Sequence, residues 1–184
     1  MREILFRAKR IDNGEWVEGF YSQLPKPSLG ASIIANGDLC AEDVGDYIIM
    51  NRSKQHSNFS NAYPLEIIEC EYYEINPETL CQYTGLKDKN GNRIWENDIV
   101  SCEHEKYPYD NPLEVYPLMP DPIKYKRNYA VEFINTGSSY GYRLRNKSIH
   151  FMLTANVIYN HKIEVLGNVF DNPELLKGDQ GCGK

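Results

Sequence analysis

Asn76-Pro77-Glu78-Thr79-Leu80-Cys81-Gln82-Tyr83-Thr84-Gly85-Leu86-Lys87-Asp88-Lys89-Asn90-Gly91 runs through Asn92 and Arg93 into Ile94-Trp95-Glu96-Asn97-Asp98-Ile99-Val100. This stretch decides the fold class. Thr79–Thr84 reads as a strand and Ile94–Glu103 as its return. Between them Lys87–Asn92 is a turn centred on Asn90-Gly91, two residues that accept left-handed backbone angles at little cost. Asn76-Pro77 punctuates the chain just before the first strand.

The same grammar recurs in both directions. Toward the N-terminus, Ile4, Phe6 and Ala8 alternate with basic residues, Asp12-Asn13-Gly14 turns the chain, and Glu15–Tyr21 returns. Short apolar runs follow at Ser32–Ala35 and Tyr47–Met50. The polar segment Gln55–Ala62 reads as a loop, and Leu65–Ile75 leans to strand although its Glu spacing also tolerates helix. Toward the C-terminus, five prolines (108, 112, 117, 120, 122) make a crossing loop, because proline lacks the N–H that a ladder needs. Tyr125–Ile134 and Tyr140–Arg145 form a hairpin around Asn135-Thr136-Gly137, with Arg143 and Arg145 on the face opposite Tyr142 and Leu144. Phe151–Tyr159 reads as either a strand or one short helix. Ile163–Phe170 is a final strand, and Pro173–Leu176 a short terminal helix capped by Asp171 or Asn172.

The predicted fold is therefore mainly β. An N-terminal β-hairpin unit (1–75) precedes a partly open, SH3-like or sandwich-type β-barrel with a short C-terminal helix (76–176) and a disordered tail (177–184). The expected core includes Trp95, Trp16 or both, since each lies in a strand beside acids that can face solvent.

Composition narrows the classes of function. The 184 residues are 41% hydrophobic and 25% charged, ordinary values for a folded chain. No segment approaches the ~20 apolar residues of a membrane span, and the opening apolar run is too short for a signal-peptide core. A cytoplasmic protein with no membrane partner is the expectation. Five cysteines (40, 70, 81, 102, 182), odd in number and without a C-x-x-C pair, fit reduced thiols. Fourteen tyrosines suit strands and also contact surfaces.

The net charge of −6 argues against a nucleic-acid coat over the whole surface. Its distribution is uneven. Nine acids lie between Asp38 and Glu78 against Arg52 and Lys54, while six bases lie between Ile123 and His150 against Glu132 alone.

The opening Phe6-Arg7-Ala8-Lys9 with Gly14–Tyr21, the central block quoted above, and Ile163-Glu164-Val165-Leu166-Gly167-Asn168-Val169-Phe170-Asp171-Asn172-Pro173-Glu174-Leu175-Leu176 occur in the order of one known pattern. On these blocks the chain resembles the YopX family of phage and prophage proteins. It departs from the pattern at Asn97, where Gly is usual, and in the 107–122 crossing. The resemblance implies a mostly β fold and a bacterial host cell, and it transfers no catalytic residues.

Candidate chemistry is sparse. Gly178-x-x-x-x-Gly183-Lys184 imitates a phosphate loop, but no Ser or Thr follows for magnesium and no helix receives it. Cys102 and His104 share a strand face, yet structural zinc draws on two close ligand pairs and one is visible. His56, His150 and His161 have no nucleophile partner, Gly137–Gly141 is not a nucleophile elbow, and the acids at 38, 42, 43 and 46 lack an ion-binding loop's spacing. No cofactor, metal site or catalytic set is expected. The basic hairpin is the one candidate surface: Lys124, Lys126, Arg127, Arg143 and Arg145, interleaved with Tyr142 and other tyrosines, resemble a single-strand nucleic-acid platform. The expected function is non-enzymatic, binding a host or phage macromolecule or assembling with itself. Nucleic-acid binding by residues 123–147 is the alternative, and a metal-dependent enzyme comes last.

Overall fold

A computed structural model describes residues 3–26, 44–57, 65–107, 121–147 and 149–177, the side chains of 51–57 and 65–69 excepted. Expectations for 32–35, the acids at 38, 42 and 43, most of the polar loop, the prolines at 108–120 and the tail from 178 lie outside these residues. Two compact units are present, Met1–Tyr83 and Thr84–Lys184. The boundary falls later than residue 75 because the chain first returns to the N-terminal strand. Cys81 and Gln82 pair with Arg7 and Phe6, and the Tyr83 N–H donates to the Leu5 carbonyl at 2.9 Å.

In the first unit, β1 (Phe6–Lys9), β2 (Trp16–Pro25), β3 (Val44–Ser57) and β4 (Leu65–Glu74) form antiparallel neighbours. Gly14, at φ +73°, makes the β1–β2 turn, as the Asp-Asn-Gly sequence predicts. Ala8, Ile48 and Ile75 form the buried centre, with Phe6, Val17, Tyr21, Met50 and Leu80 packed around it. Gly19 is required for closeness rather than for turning: a Cβ there would meet the Ile49 carbonyl at 2.3 Å. Trp16 is half-buried, its ring lying 4.9 Å from the Arg7 guanidinium and 5.5 Å from the Lys9 ammonium.

Strand β5 (Cys81–Lys87) follows a 3-10 turn at Pro77–Thr79 and leads by a turn into β6 (Arg93–Trp95), giving the order β4-β3-β2-β1-β5-β6. The second unit continues with β7 (Asp98–Lys106), β8 (Ile123–Thr136), β9 (Ser139–Arg145), β10 (His150–Met152), helix α1 (Ala155–Asn160) and β11 (Glu164–Asn168). Its sheet is antiparallel in the order β10-β9-β8-β7-β11. The fold is mainly β, as the sequence predicts, and its two sheets do not close into a barrel.

Two local readings are refined. The return strand from Ile94 breaks at Asn97, which takes the left-handed conformation at φ 63° while Asp98 Oδ2 accepts from the Trp95 N–H at 2.8 Å. Asn tolerates that conformation, so the turn survives without the usual Gly. The 151–159 run divides into β10 and α1, with Thr154 Oγ1 accepting from the Val157 N–H at the helix start. At the C-terminus the helix is a 3-10 turn, Pro173–Leu176, with no side-chain cap; instead Leu175 O accepts from Asn128 Nδ2 at 2.9 Å.

The second unit's core joins Ile94, Val100, Cys102, Tyr129, Val131, Tyr142, Leu144, Leu153 and Ile163. Trp95 is buried, as expected, at 2% exposure. Among the described residues no helix is long and apolar enough to cross a membrane.

Candidate functional site

Strand register decides what the basic hairpin can do. On β8, Tyr129 and Val131 are buried, so alternation sends Lys124, Lys126 and Glu132 to the other face. Lys124 stands opposite Glu105 of β7, with Nζ 3.5 Å from its carboxylate, and Lys126 opposite Glu103 at 3.9 Å. Arg143 is directly across from Glu132 on β9, its Nε donating at 2.9 Å, and Arg145 Nη1 reaches the same carboxylate at 3.3 Å. Arg127 faces the other way, half-buried, with its guanidinium 5.7 Å from the Tyr125 ring. These five bases do not form one positive surface. Each of the four on the outer face meets an acid from a neighbouring strand.

Tyr142 requires correction. It is 8% exposed and belongs to the core, against Phe133 with ring centroids 5.4 Å apart. A ring held there cannot stack on a nucleobase. Tyr129, also interleaved with the bases, is fully buried, while Tyr140 at the hairpin tip is 76% exposed.

Cys102 and His104 do share the inner face of β7, opposite Arg127 and Tyr125. The His104 ring is stacked on Tyr125 at 5.4 Å and lies 5.0 Å from the His161 ring, and its Nε2 is 3.0 Å from the Tyr129 hydroxyl. His161 Nδ1 is 2.9 Å from the Glu103 carbonyl oxygen. Burial pushes the Cys102 thiol up to about 12, which disfavours its thiolate, and the side chain packs in the core. Among the described residues no three His, Cys, Asp or Glu side chains gather as metal ligands would. Asp46, from the acidic segment, accepts from the Tyr21 hydroxyl at 2.5 Å and from Gln23 Nε2 at 3.2 Å.

The central block quoted at the outset builds a different surface. Thr84 Oγ1 donates to the Ile94 carbonyl at 2.7 Å and ties β5 to β6. Asp88, 6% exposed, takes the N–H groups of Asn90 and Asn92 on Oδ1 at 2.8 Å, and Val165 N–H at 3.1 Å and Asn92 Nδ2 at 3.2 Å on Oδ2. Burial disfavours its charge, but these donors outweigh burial and hold the carboxyl below the usual Asp range. The Lys89 N–H donates to the Ile163 carbonyl at 2.9 Å, and Gly91 turns the chain at φ +88°. The turn is thereby fixed to β11 and to the residues that follow α1.

Between this turn and α1 lies a groove of about 910 Å³. Leu86 and Ile158, both packed on the core, supply apolar lining together with Ala155. Tyr159 stands beside them at 85% exposure. Three lysines, 87, 89 and 162, line it with Asn90 and Asn160, and among the described residues no acid does. Lys89 is held by Glu164 at 2.6 Å and Lys162 by Glu103 at 3.4 Å, whereas Lys87 is exposed with no acidic partner among the described residues. Sequence reading misses this groove because its walls come from segments about 70 positions apart. The signals present are Tyr159 in α1 and three lysines, one at the end of β5 and two in the flanking loops.

Fold and groove together define a mainly β protein of two open sheets whose recurring turn-rich block carries a surface groove. The family model described as YopX protein matches residues 5–177, nearly the whole chain, and the chain belongs to the YopX family. Family membership suggests a phage-type protein and assigns no specific role. No curated protein matches the sequence. The crystal structure of protein EF1440 from Enterococcus faecalis is similar at a TM-score of 0.47 and 22% identity, over 96% of this chain and 99% of that one.

Proposed function

We propose that this phage-type protein is a non-enzymatic binding protein that engages a host or phage macromolecule, in the cytoplasm of a bacterial host, through the groove between the β5–β6 turn and α1. One observation carries the reading: Tyr159 of α1 is 85% exposed beside the partly buried Leu86 and Ile158, and the facing β5–β6 turn is tied to β11 by Asp88. An aromatic ring with a polar tip beside an apolar lining is a typical contact anchor, and a preformed rim lowers the ordering cost of binding. The hairpin of residues 123–147 gives the nucleic-acid alternative less support, because its outward bases already face acids.

Site-specific photocrosslinking in the host cell tests the proposal. A photoreactive side chain in place of Tyr159 should yield a discrete covalent adduct, and the same group in place of Tyr140, also exposed but outside the groove lining, should not. An adduct pattern identical at both positions would remove the groove from consideration. An adduct with a second copy of the chain would identify the macromolecule as the protein itself.

A further inference from the structure

Resting on that binding reading, we propose that the groove takes an acidic protein segment that also carries apolar side chains. The chain is acidic overall at −6, yet among the described residues the groove is lined by three lysines and no acid. A local reversal of sign in a cleft attracts an anionic partner. Lys87 supplies the charge least compensated by its surroundings. Lys162 shares Glu103 with Lys126, so its charge is only partly answered.

The rest of the lining selects among anions. A phosphate or a small carboxylate would leave Leu86, Ala155 and Ile158 uncovered, whereas a peptide can set an apolar side chain against them while its acids reach the lysines. Single-stranded nucleic acid needs successive rings for successive bases, and here one ring, Tyr159, is offered. Asn90 and Asn160 provide side-chain amides at the same rim for a peptide backbone.

Fluorescence anisotropy on the full chain tests the assignment with four labelled probes. These are an acidic peptide with interspersed Leu and Phe, its Asn/Gln counterpart, a basic peptide, and a single-stranded oligonucleotide. The acidic peptide should bind, weaken as salt rises, and exceed its neutral counterpart by about tenfold. Lys87→Ala and Lys162→Ala should each weaken it about two- to fivefold, and Lys87→Arg should not. Tyr159→Ser should weaken it about tenfold or more. All three positions of change are exposed, so unchanged thermal unfolding verifies that the variants fold. Equal binding of acidic and neutral peptides, unmoved by the lysine variants, overturns the anionic assignment and leaves the groove reading standing. Binding of the oligonucleotide in preference to the acidic peptide overturns it in favour of nucleic acid. No binding by any probe also overturns it, and the crosslink at Tyr159 then decides the broader reading by itself.

Discussion

Two regions of the second unit are rich in bases, and their geometry sets them apart. On β8 and β9, Lys124, Lys126, Arg143 and Arg145 stand across from or diagonal to Glu105, Glu103 and Glu132. Around the groove, Lys87 ends β5 while Lys89 and Lys162 lie in the flanking loops; Glu164 and Glu103 hold the latter two, and among the described residues no acid joins the lining itself. A strand imposes a partner on every residue it carries, so charge on a sheet is answered by whatever the register brings opposite. Lys87, the last residue of β5, meets no acid among the described residues, so a strand's end can escape that rule. A run of bases in a sequence therefore says little about potential until pairing is known.

The comparison is sharpest at the two tyrosines. Tyr142→Ala should destabilise the second unit by about 3–5 kcal/mol, since it empties a core site. Tyr159→Ala should shift stability by no more than about 0.5 kcal/mol, as exposed substitutions do. Urea unfolding of both variants checks this, and equal losses would show that the hairpin ring and the groove ring had been assigned the wrong roles. Next in size is Asp88→Asn, which turns an amide N–H₂ toward the Val165 or Asn90 donors and should cost about 1–3 kcal/mol. Because the folded-state pKa of Asp88 is lowered, its contribution is present above the unfolded value of about 3.9 and is lost as pH falls through the folded one. Acid titration of stability should therefore show a smaller loss below pH 4 in Asp88→Asn than in the parent.

Smaller effects belong to the hairpin. Arg143→Ala/Arg145→Ala should lower stability by less than about 1 kcal/mol and leave oligonucleotide anisotropy at low salt unchanged within about twofold. A salt slope shallower by about two units in that variant would instead return the hairpin to the role of a nucleic-acid site. Lys124→Ala, at a pair open to water, should move the unfolding midpoint least, by no more than about 0.5 kcal/mol.

Much of the fold is legible in the sequence for local reasons. Asn13-Gly14, Asn90-Gly91 and Gly137 mark turns because their backbone needs are local, and Trp95 reads as core from the acids flanking it. Alternation likewise puts Tyr142 in one row with Leu144, which already argues against an exposed ring. What the sequence withholds is non-local. β7 and β8 are separated in the sequence by the residues from 107 to 122, so nothing in the order of residues tells which acid meets Lys124 or Lys126. The break at Asn97 depends on the buried Asp98 carboxylate receiving the Trp95 N–H, a contact that alternation alone does not show. The groove is hidden for the same reason: Leu86 and Ile158 become neighbours only through the core that both cover.

The buried cysteines give the molecule a clock for its own opening. Cys81 lies in β5 on the first unit's side of the division, and Cys102 in β7, between β8 and β11 in the second. Both are 0% exposed. Alkylation proceeds through the thiolate, and a thiol pushed up to about 12 holds almost none at neutral pH. Modification of Cys102 therefore times the release of a central strand, not the fraying of an edge. Pulse labelling read by peptide mass would time Cys81 and Cys102 separately in one sample. Equal rates would mean that the two units unfold as one cooperative body, and unequal rates that each keeps its own hours.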